Sequence, residues 1–347
     1  MTKAKMVSCK PMKKDFISAL QKQLQTPQKI VVIPHKNPDG DALGSTLAWM
    51  LFLQKNKHDA VVISPNDYPD FLKWMPAQDQ ILIFSQNESS VENKIQEADL
   101  IFTLDFNSLS RIDQLGSLVA DSKAIKVMID HHQEPDSYAQ LMYSDTEMSS
   151  TCEMIYKLIH TLDASSITPE IASCLYTGIM TDTGSFRFPS TTAATHKAIA
   201  HLIECGADGT AIHQNIYDSS SFNRLKLLGI ALSNLNQIQG LPIVYIQLTQ
   251  KELNSCDYKK GDTEGFVNYG LSLDGVVFSC IMIENENEGK IKMSFRSKGD
   301  FSVNDFARTY FEGGGHHNAA GGMSTTSMEE TVQRFKKAVE EVKNQFH

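Results

Sequence analysis

Four short apolar runs, rich in β-branched residues, punctuate the start of this chain: Lys29-IVVIP, Ala60-VVIS, Leu100-IFTLDF and Ile125-KVMID. Each is too short for a helix and is mostly apolar rather than alternating, so each predicts a strand buried on both faces. The stretches between them are helical in character, beginning with Asp41–Leu53. Strands that alternate with helices are βαβ units and imply a mostly parallel sheet covered on both sides.

Beyond Thr151 the spacing predicts helices over Cys152–Leu162, Pro169–Met180 and Thr192–Cys205, after which Gly206 and Gly209 break the pattern. Phe222, Leu225, Leu228, Leu232 and Leu235 form one further apolar stripe, read as a helix connecting two domains. After Gly240 the character changes to strands, 241–248, 276–283 and 290–297, with Asn285-ENEG as a hairpin loop. The expected domains are 1–205, a helical linker over 206–238, and 239–347. A length of 347 residues suits two cores of ordinary size.

Composition narrows the class. With 41% apolar residues and only 11 Pro and 20 Gly, the chain is neither disordered nor fibrous. Its longest apolar run, Leu47–Leu53, is far below the ~18 residues a membrane helix needs. The opening stretch carries Lys3, Lys5, Lys10, Lys13, Lys14, Lys22 and Lys29 but no apolar core of a signal peptide, and six cysteines lie scattered without a C-x-x-C pair. Reduced thiols and a soluble cytoplasmic protein are expected. A net charge of −9 argues against a broadly basic duplex binder, so any nucleic acid must be captured locally.

Chemistry concentrates where the early strands end. His35, Asp39 and Asp41 follow the first, Asp105 closes the third, and Asp130, His131 and His132 close the fourth. In an open parallel sheet the carboxyl ends share one edge, which is where ligands bind. Taken singly, Asn37-Pro-Asp-Gly40 is also turn chemistry, Asp41 suits a helix cap, and Asp182 after a helix suits a surface position. Two adjacent histidines directly after a buried strand have no packing role. His35, Asp39, Asp41, Asp105, His131 and Asp182 together supply ligands for two divalent ions sharing one carboxylate. Two ions about 3.5–4 Å apart clamp a phosphoryl group and generate hydroxide from water. Carboxylate and imidazole without thiolate suit manganese, or magnesium, better than structural zinc.

His35-x-x-x-Asp39-x-Asp41, Asp105, Asp130-His131-His132 and Asp182, followed by Gly313-GGHHNAAGG, resemble the successive motifs of the DHH phosphoesterases and their DHHA1 domain. The resemblance implies an α/β fold: a parallel-sheet DHH domain plus a smaller mixed α/β DHHA1 domain, with the active site in the cleft between them. It implies that His35, Asp39 and Asp105 hold one ion and Asp41, Asp105, His131 and Asp182 the other. His132 then contacts the reacting phosphate or protonates the leaving oxygen, and Asp130 orients a histidine. In the second domain the glycines of Gly313–Gly315 suit an amide nest for phosphate, so Gly314, Gly315, His316 and His317 are expected substrate contacts. Ser294 and Arg296, two apart on an expected strand, share a face, and Arg296 is a candidate phosphate clamp.

Neither the sensory and membrane segments of the cyclic dinucleotide phosphodiesterases nor the added domains of the RecJ exonucleases are expected, and the glycine-rich motif differs from family II inorganic pyrophosphatases. What remains is similar to the short NrnA-like oligoribonuclease and pAp phosphatase group. Expected substrates are RNA fragments of a few nucleotides or small phosphorylated nucleotides, chiefly 3'-phosphoadenosine 5'-phosphate (pAp), with long duplexes excluded and a homodimer open. A di-AMP phosphodiesterase and a short-chain exopolyphosphatase are the alternatives within enzymes. A mere nucleotide- or RNA-binding module would show lost ligand positions, and all six are present.

Overall fold

A computed structural model describes residues 14–346; Lys3, Lys5, Lys10, Lys13 and Cys9 lie outside the described residues. The chain divides into two compact units, Met1–Asp218 and Ser219–His347. No helix among the described residues is long and apolar enough to cross a membrane.

In the first unit the four apolar runs become β1 (Lys29–Ile33), β2 (Asp59–Ser64), β4 (Leu100–Leu104) and β5 (Ile125–Asp130). Two edge strands escape the sequence reading, β3 (Leu82–Ile83) and β6 (Leu141–Ser144), because each is short and only partly buried. The six run parallel in the order β3-β2-β1-β4-β5-β6. Alternate residues of β1 serve two cores: Ile30 and Val32 pack with Leu43, Leu47 and Ile179, while Val31 and Ile33 pack with Val91, Ile95 and Val119. A sheet apolar on both faces requires a helical layer on each. The order reverses between β1 and β4, so the loops leaving these two strands diverge and open a crevice at the carboxyl edge.

Helix Gly40–Lys55 is buried on nearly every side of its first three turns. It lies between the sheet and helix Pro169–Asp182, with Trp49 stacked on Phe52 at 5.1 Å and edge-on to Phe102 at 5.3 Å. Two glycines permit the close helix crossing. A Cβ at Gly44 would stand 2.5 Å from the Cys174 carbonyl oxygen, and one at Gly178 would overlap Cys152 Sγ and stand 2.8 Å from Asp41 Oδ1.

The second unit holds a mixed sheet of β7 (Leu235–Gln237), β8 (Ile243–Leu248), β9 (Phe278–Asn285), β10 (Lys290–Ser297), β11 (Gly314–His316) and β12 (Ala319–Ser324), in the order β11-β12-β10-β9-β8-β7. All neighbours are antiparallel except β8 and β9. A phenylalanine-rich core, Phe278, Phe295, Phe306, Phe311 and Phe335, fills one face. On the other, helix Phe222–Ser233 lays Leu227 and Ala231 against Ile246, Leu248 and Ile281. The helix expected as a connector is therefore built into the second sheet, and its buried face differs from the apolar stripe: Phe222 is 72% and Leu225 53% exposed, and Leu235 has left the helix for β7. A stripe at three- and four-residue spacing marks one side of a helix, but the sheet selects the side on which small Ala231 lets the backbone come near.

Gly178→Ala is expected to cost about 1–3 kcal/mol by overpacking against Cys152, lowering the melting temperature of the first unit by several degrees. Gly229→Ala, at a helical position with open space around it, is expected to be neutral or stabilising by up to about 1 kcal/mol. Thermal unfolding of both variants checks the contrast; equal stability of Gly178→Ala and wild type would contradict the tight crossing.

Candidate active site

The chain leaves β1 through Pro34 and places His35 over the sheet edge, its Nδ1 donating to the Lys36 carbonyl at 2.9 Å. Asp39 is the N-cap of helix Gly40–Lys55: its Oδ1 accepts from the amides of Asp41 and Ala42 at 3.0 Å. The cap is thus Asp39 rather than Asp41. Asp41, in the first turn and 1% exposed, reaches to a second helix, accepting from the amides of Thr151 at 2.7 Å and Cys152 at 2.8 Å. Helix N-termini favour a carboxylate through these free amides and the helix dipole.

Asp105 follows directly on β4 in the left-handed backbone region, φ 67°. Aspartate tolerates that conformation better than most residues, and strained backbone of this kind gathers at functional sites. Its carboxylate lies 3.5 Å from His35 Nε2 and 3.4 Å from His131 Nε2, and accepts from Thr151 Oγ1 at 2.9 Å. His131 Nε2 also lies 3.8 Å from Asp41 and 3.4 Å from Asp182, the last residue of helix Pro169–Asp182. Its Nδ1 donates to the Met148 carbonyl at 3.2 Å. Both histidines therefore spend Nδ1 on a backbone carbonyl and turn Nε2 toward carboxylates, the arrangement that fixes an imidazole as a metal ligand. His132 differs: its Nδ1 donates to Asp130 Oδ1 at 2.7 Å.

All six expected ligands of the first unit come together. His35, Asp39 and Asp105 form one group able to hold an ion, and Asp41, Asp105 and His131 another, with Asp182 adjoining His131. Asp105 is common to both, and also to a group with Asp130 and His132. The donor set fits hard divalent cations. Burial and the charges of Asp105 and Asp182 push Asp41 well above the usual carboxylate range, a sign of negative charge without enough compensation. Burial would likewise raise Asp105, but hydrogen bonds from His131 and His35 override it and hold Asp105 well below. Burial disfavours the charged forms of His35 and His131, yet the Asp105 hydrogen bond and neighbouring carboxylates raise both. Asp130 Oδ2 is buried without a hydrogen-bond partner.

Sequence reasoning missed Thr151 and the amides of 151 and 152. The pattern Ser150-x-x-Glu153 marks a helix start, and Ser150 is the N-cap of helix Thr151–Asp163. That signal places an anion-binding terminus beside the metal ligands.

In the second unit, Ser294 and Arg296 do share a face of β10, opposite buried Met293 and Phe295. Of the glycines expected as an amide nest, Gly314 and Gly315 lie in edge strand β11, and the Gly315 amide donates to Asn304 Oδ1 at 2.8 Å. Glycine is required here by close backbone contact: a Cβ at Gly315 would stand 2.5 Å from the Ala319 carbonyl oxygen. His316 ends β11 half-buried, and His317 is exposed at the turn, its carbonyl accepting from Val303 at 2.8 Å.

Without metal, the protein is expected to lose stability as pH rises above the ordinary histidine value of 6.5. The folded-state values of His35 and His131 lie above 6.5, so their contribution is full below that pH and is lost as pH climbs through the raised values. Asp41, also raised, adds an uncompensated buried charge on ionising. Calorimetry in chelator on both sides of that value checks the sign; a gain in stability toward higher pH would contradict it.

The DHH family, N-terminal domain, matches residues 29–179, and the DHHA1 domain matches residues 240–345. The probable bifunctional oligoribonuclease and PAP phosphatase NrnA of Streptococcus mutans is 29% identical over 297 residues, covering 85% of this chain and 89% of that protein. The bifunctional oligoribonuclease and PAP phosphatase NrnA of Bacillus subtilis is 29% identical over 300 residues, covering 84% and 88%. Among solved structures, an exopolyphosphatase-related protein from Bacteroides fragilis matches with a TM-score of 0.93 at 40% identity, covering 98% of this chain and 99% of that one. With the metal-ligand motifs in order and both domains matched, this chain belongs to the DHH family of phosphoesterases, a DHH domain followed by a DHHA1 domain.

Proposed function

We propose that the chain is a cytoplasmic, manganese- or magnesium-dependent phosphoric ester hydrolase that degrades RNA fragments of a few nucleotides and removes a phosphate from pAp. The observation that carries this reading is the sharing of Asp105 between two groups of carboxylates and imidazoles able to hold an ion at the carboxyl edge of the sheet, beside a third imidazole, His132, whose Nδ1 is bonded to Asp130. The two NrnA relatives, alike over most of their length, support the substrate class.

His35, Asp39 and Asp105 would hold one ion, and Asp41, Asp105, His131 and Asp182 the other. Such ions, when bound, supply Lewis acidity toward a phosphoryl oxygen and activate water at neutral pH. His132 is oriented by Asp130, which accepts from its Nδ1 and stabilises the charged imidazole, so Nε2 is poised to give a proton to the leaving oxygen. The burial of Asp41, Asp105 and Asp130 keeps bulk water from screening the charges they set. Ser294, Arg296, Gly314, Gly315, His316 and His317 are proposed contacts for the substrate's phosphate and ribose; with Gly315's amide already bonded, side chains of Arg296 and His316 carry most of that role.

Asp105→Ala is expected to lower manganese-dependent hydrolysis of a dinucleotide and of pAp by more than about 100-fold, beyond what loss of an outer partner does; unchanged hydrolysis would sink the metal-centre reading. His132→Ala should cost about 10²–10⁴ in kcat with manganese binding preserved. A panel of dinucleotide, pAp, cyclic di-AMP, short polyphosphate and long RNA checks the substrate, with the first two turned over fastest. Preference for polyphosphate would favour the second reading, which the Bacteroides fragilis protein's description supports. Equal turnover of dinucleotide and long RNA would overturn the size preference.

A further inference from the structure

We infer that Glu153 is a positioning residue for the metal centre, acting through the turn that leads into its helix; this rests on the metal-ligand reading above. The segment Met148–Cys152 meets the site at four points. The Met148 carbonyl accepts from His131 Nδ1 at 3.2 Å, the Thr151 and Cys152 amides donate to Asp41 at 2.7 and 2.8 Å, and Thr151 Oγ1 donates to Asp105 at 2.9 Å. These groups set the orientation of three proposed ligands.

What fixes the segment is a carboxylate that is itself no ligand. Glu153 is 2% exposed. Its Oε2 accepts from Ser149 Oγ at 2.5 Å and from Thr195 Oγ1, on helix Ala193–Glu204, at 2.9 Å. Its Oε1 pairs with Lys157 Nζ at 2.9 Å, and the same ammonium lies 3.2 Å from Met148 Sδ. A buried carboxylate is costly unless every lone pair is engaged, and an apolar side chain would fill the same space at lower cost. The charge is explained by what it ties down: Ser149, next to the carbonyl that holds His131, and the first turn of the helix whose amides hold Asp41. Loss of the Glu153–Ser149 bond frees that carbonyl to rotate and His131 to follow it.

The test is manganese titration of the full chain, followed calorimetrically, with hydrolysis measured across metal concentrations. Glu153→Gln, isosteric but with one oxygen replaced by a donor, is expected to weaken manganese binding about 10–100-fold. Its activity should be lost at low metal and regained at high metal, with kcat near wild type. Ser149→Ala, which removes only the hydroxyl donor, should shift binding several-fold in the same direction. A Glu153→Gln protein with a lowered melting temperature but wild-type manganese affinity would overturn the inference, showing a merely structural role; so would wild-type values of both. Should Glu153→Gln fail to fold, wild-type affinity in Ser149→Ala overturns it alone. Asp105→Asn, titrated alongside, isolates the underlying reading: if it binds manganese as wild type does, the metal centre itself is wrong.

Discussion

Like charges gathered in one buried place dominate the physics of the first unit. Asp41, Asp105 and Asp130 are almost wholly shielded from water, and Asp39 and Asp182 border them. Such a cluster repels itself, and its cost rises as the local dielectric falls. The surrounding fold supplies offsets from three directions: amides at the start of helix Thr151–Asp163, two imidazoles with fixed tautomers, and the left-handed turn that aims Asp105 between them. The residual deficit, visible in the displaced Asp41, is what makes a cation the natural complement of the site.

Most of the first unit is legible in the sequence because it is written in contiguous signals. β1, β2, β4 and β5 are largely apolar runs, and ligands sit directly after β1, β4 and β5, so a parallel topology alone brings His35, Asp105 and His131 to one edge. β3 and β6 have no such signature, since an edge pairing of two or four residues is decided by its neighbours. The pairing of Asp41 with the amides of Thr151 and Cys152 joins residues more than a hundred positions apart, and no local pattern encodes it. Only the helix-start spacing from Ser150 to Glu153 hints that free amides lie there.

The second unit shows the opposite balance. Strand β10 alternates cleanly, with Ile291, Met293 and Phe295 inward against Lys292, Ser294 and Arg296 outward, yet two features of the unit are not legible locally. The apolar stripe beginning at Phe222 is not the buried face, because packing against a sheet selects for close approach as much as for hydrophobicity. The glycines of 313–315 suggest an amide nest in one dimension, and in three Gly313 and Gly315 are also the room that one backbone leaves for another. Repeated glycine has two physical causes, freedom of φ and absence of Cβ, and composition does not separate them.

The long span of the bonds that hold the centre has a consequence for the order of synthesis. Thr151 touches both Asp41 and Asp105, and Asp182 joins only after a further helix. A nascent chain that has left the ribosome as far as Asp105 carries its carboxylates without the Thr151 and Cys152 amides and the His131 imidazole that help offset them. The late-arriving helices Thr151–Asp163 and Pro169–Asp182 thus act as the closing step of assembly, and premature termination anywhere before Asp182 yields a product that is unfinished in chemistry as well as in length.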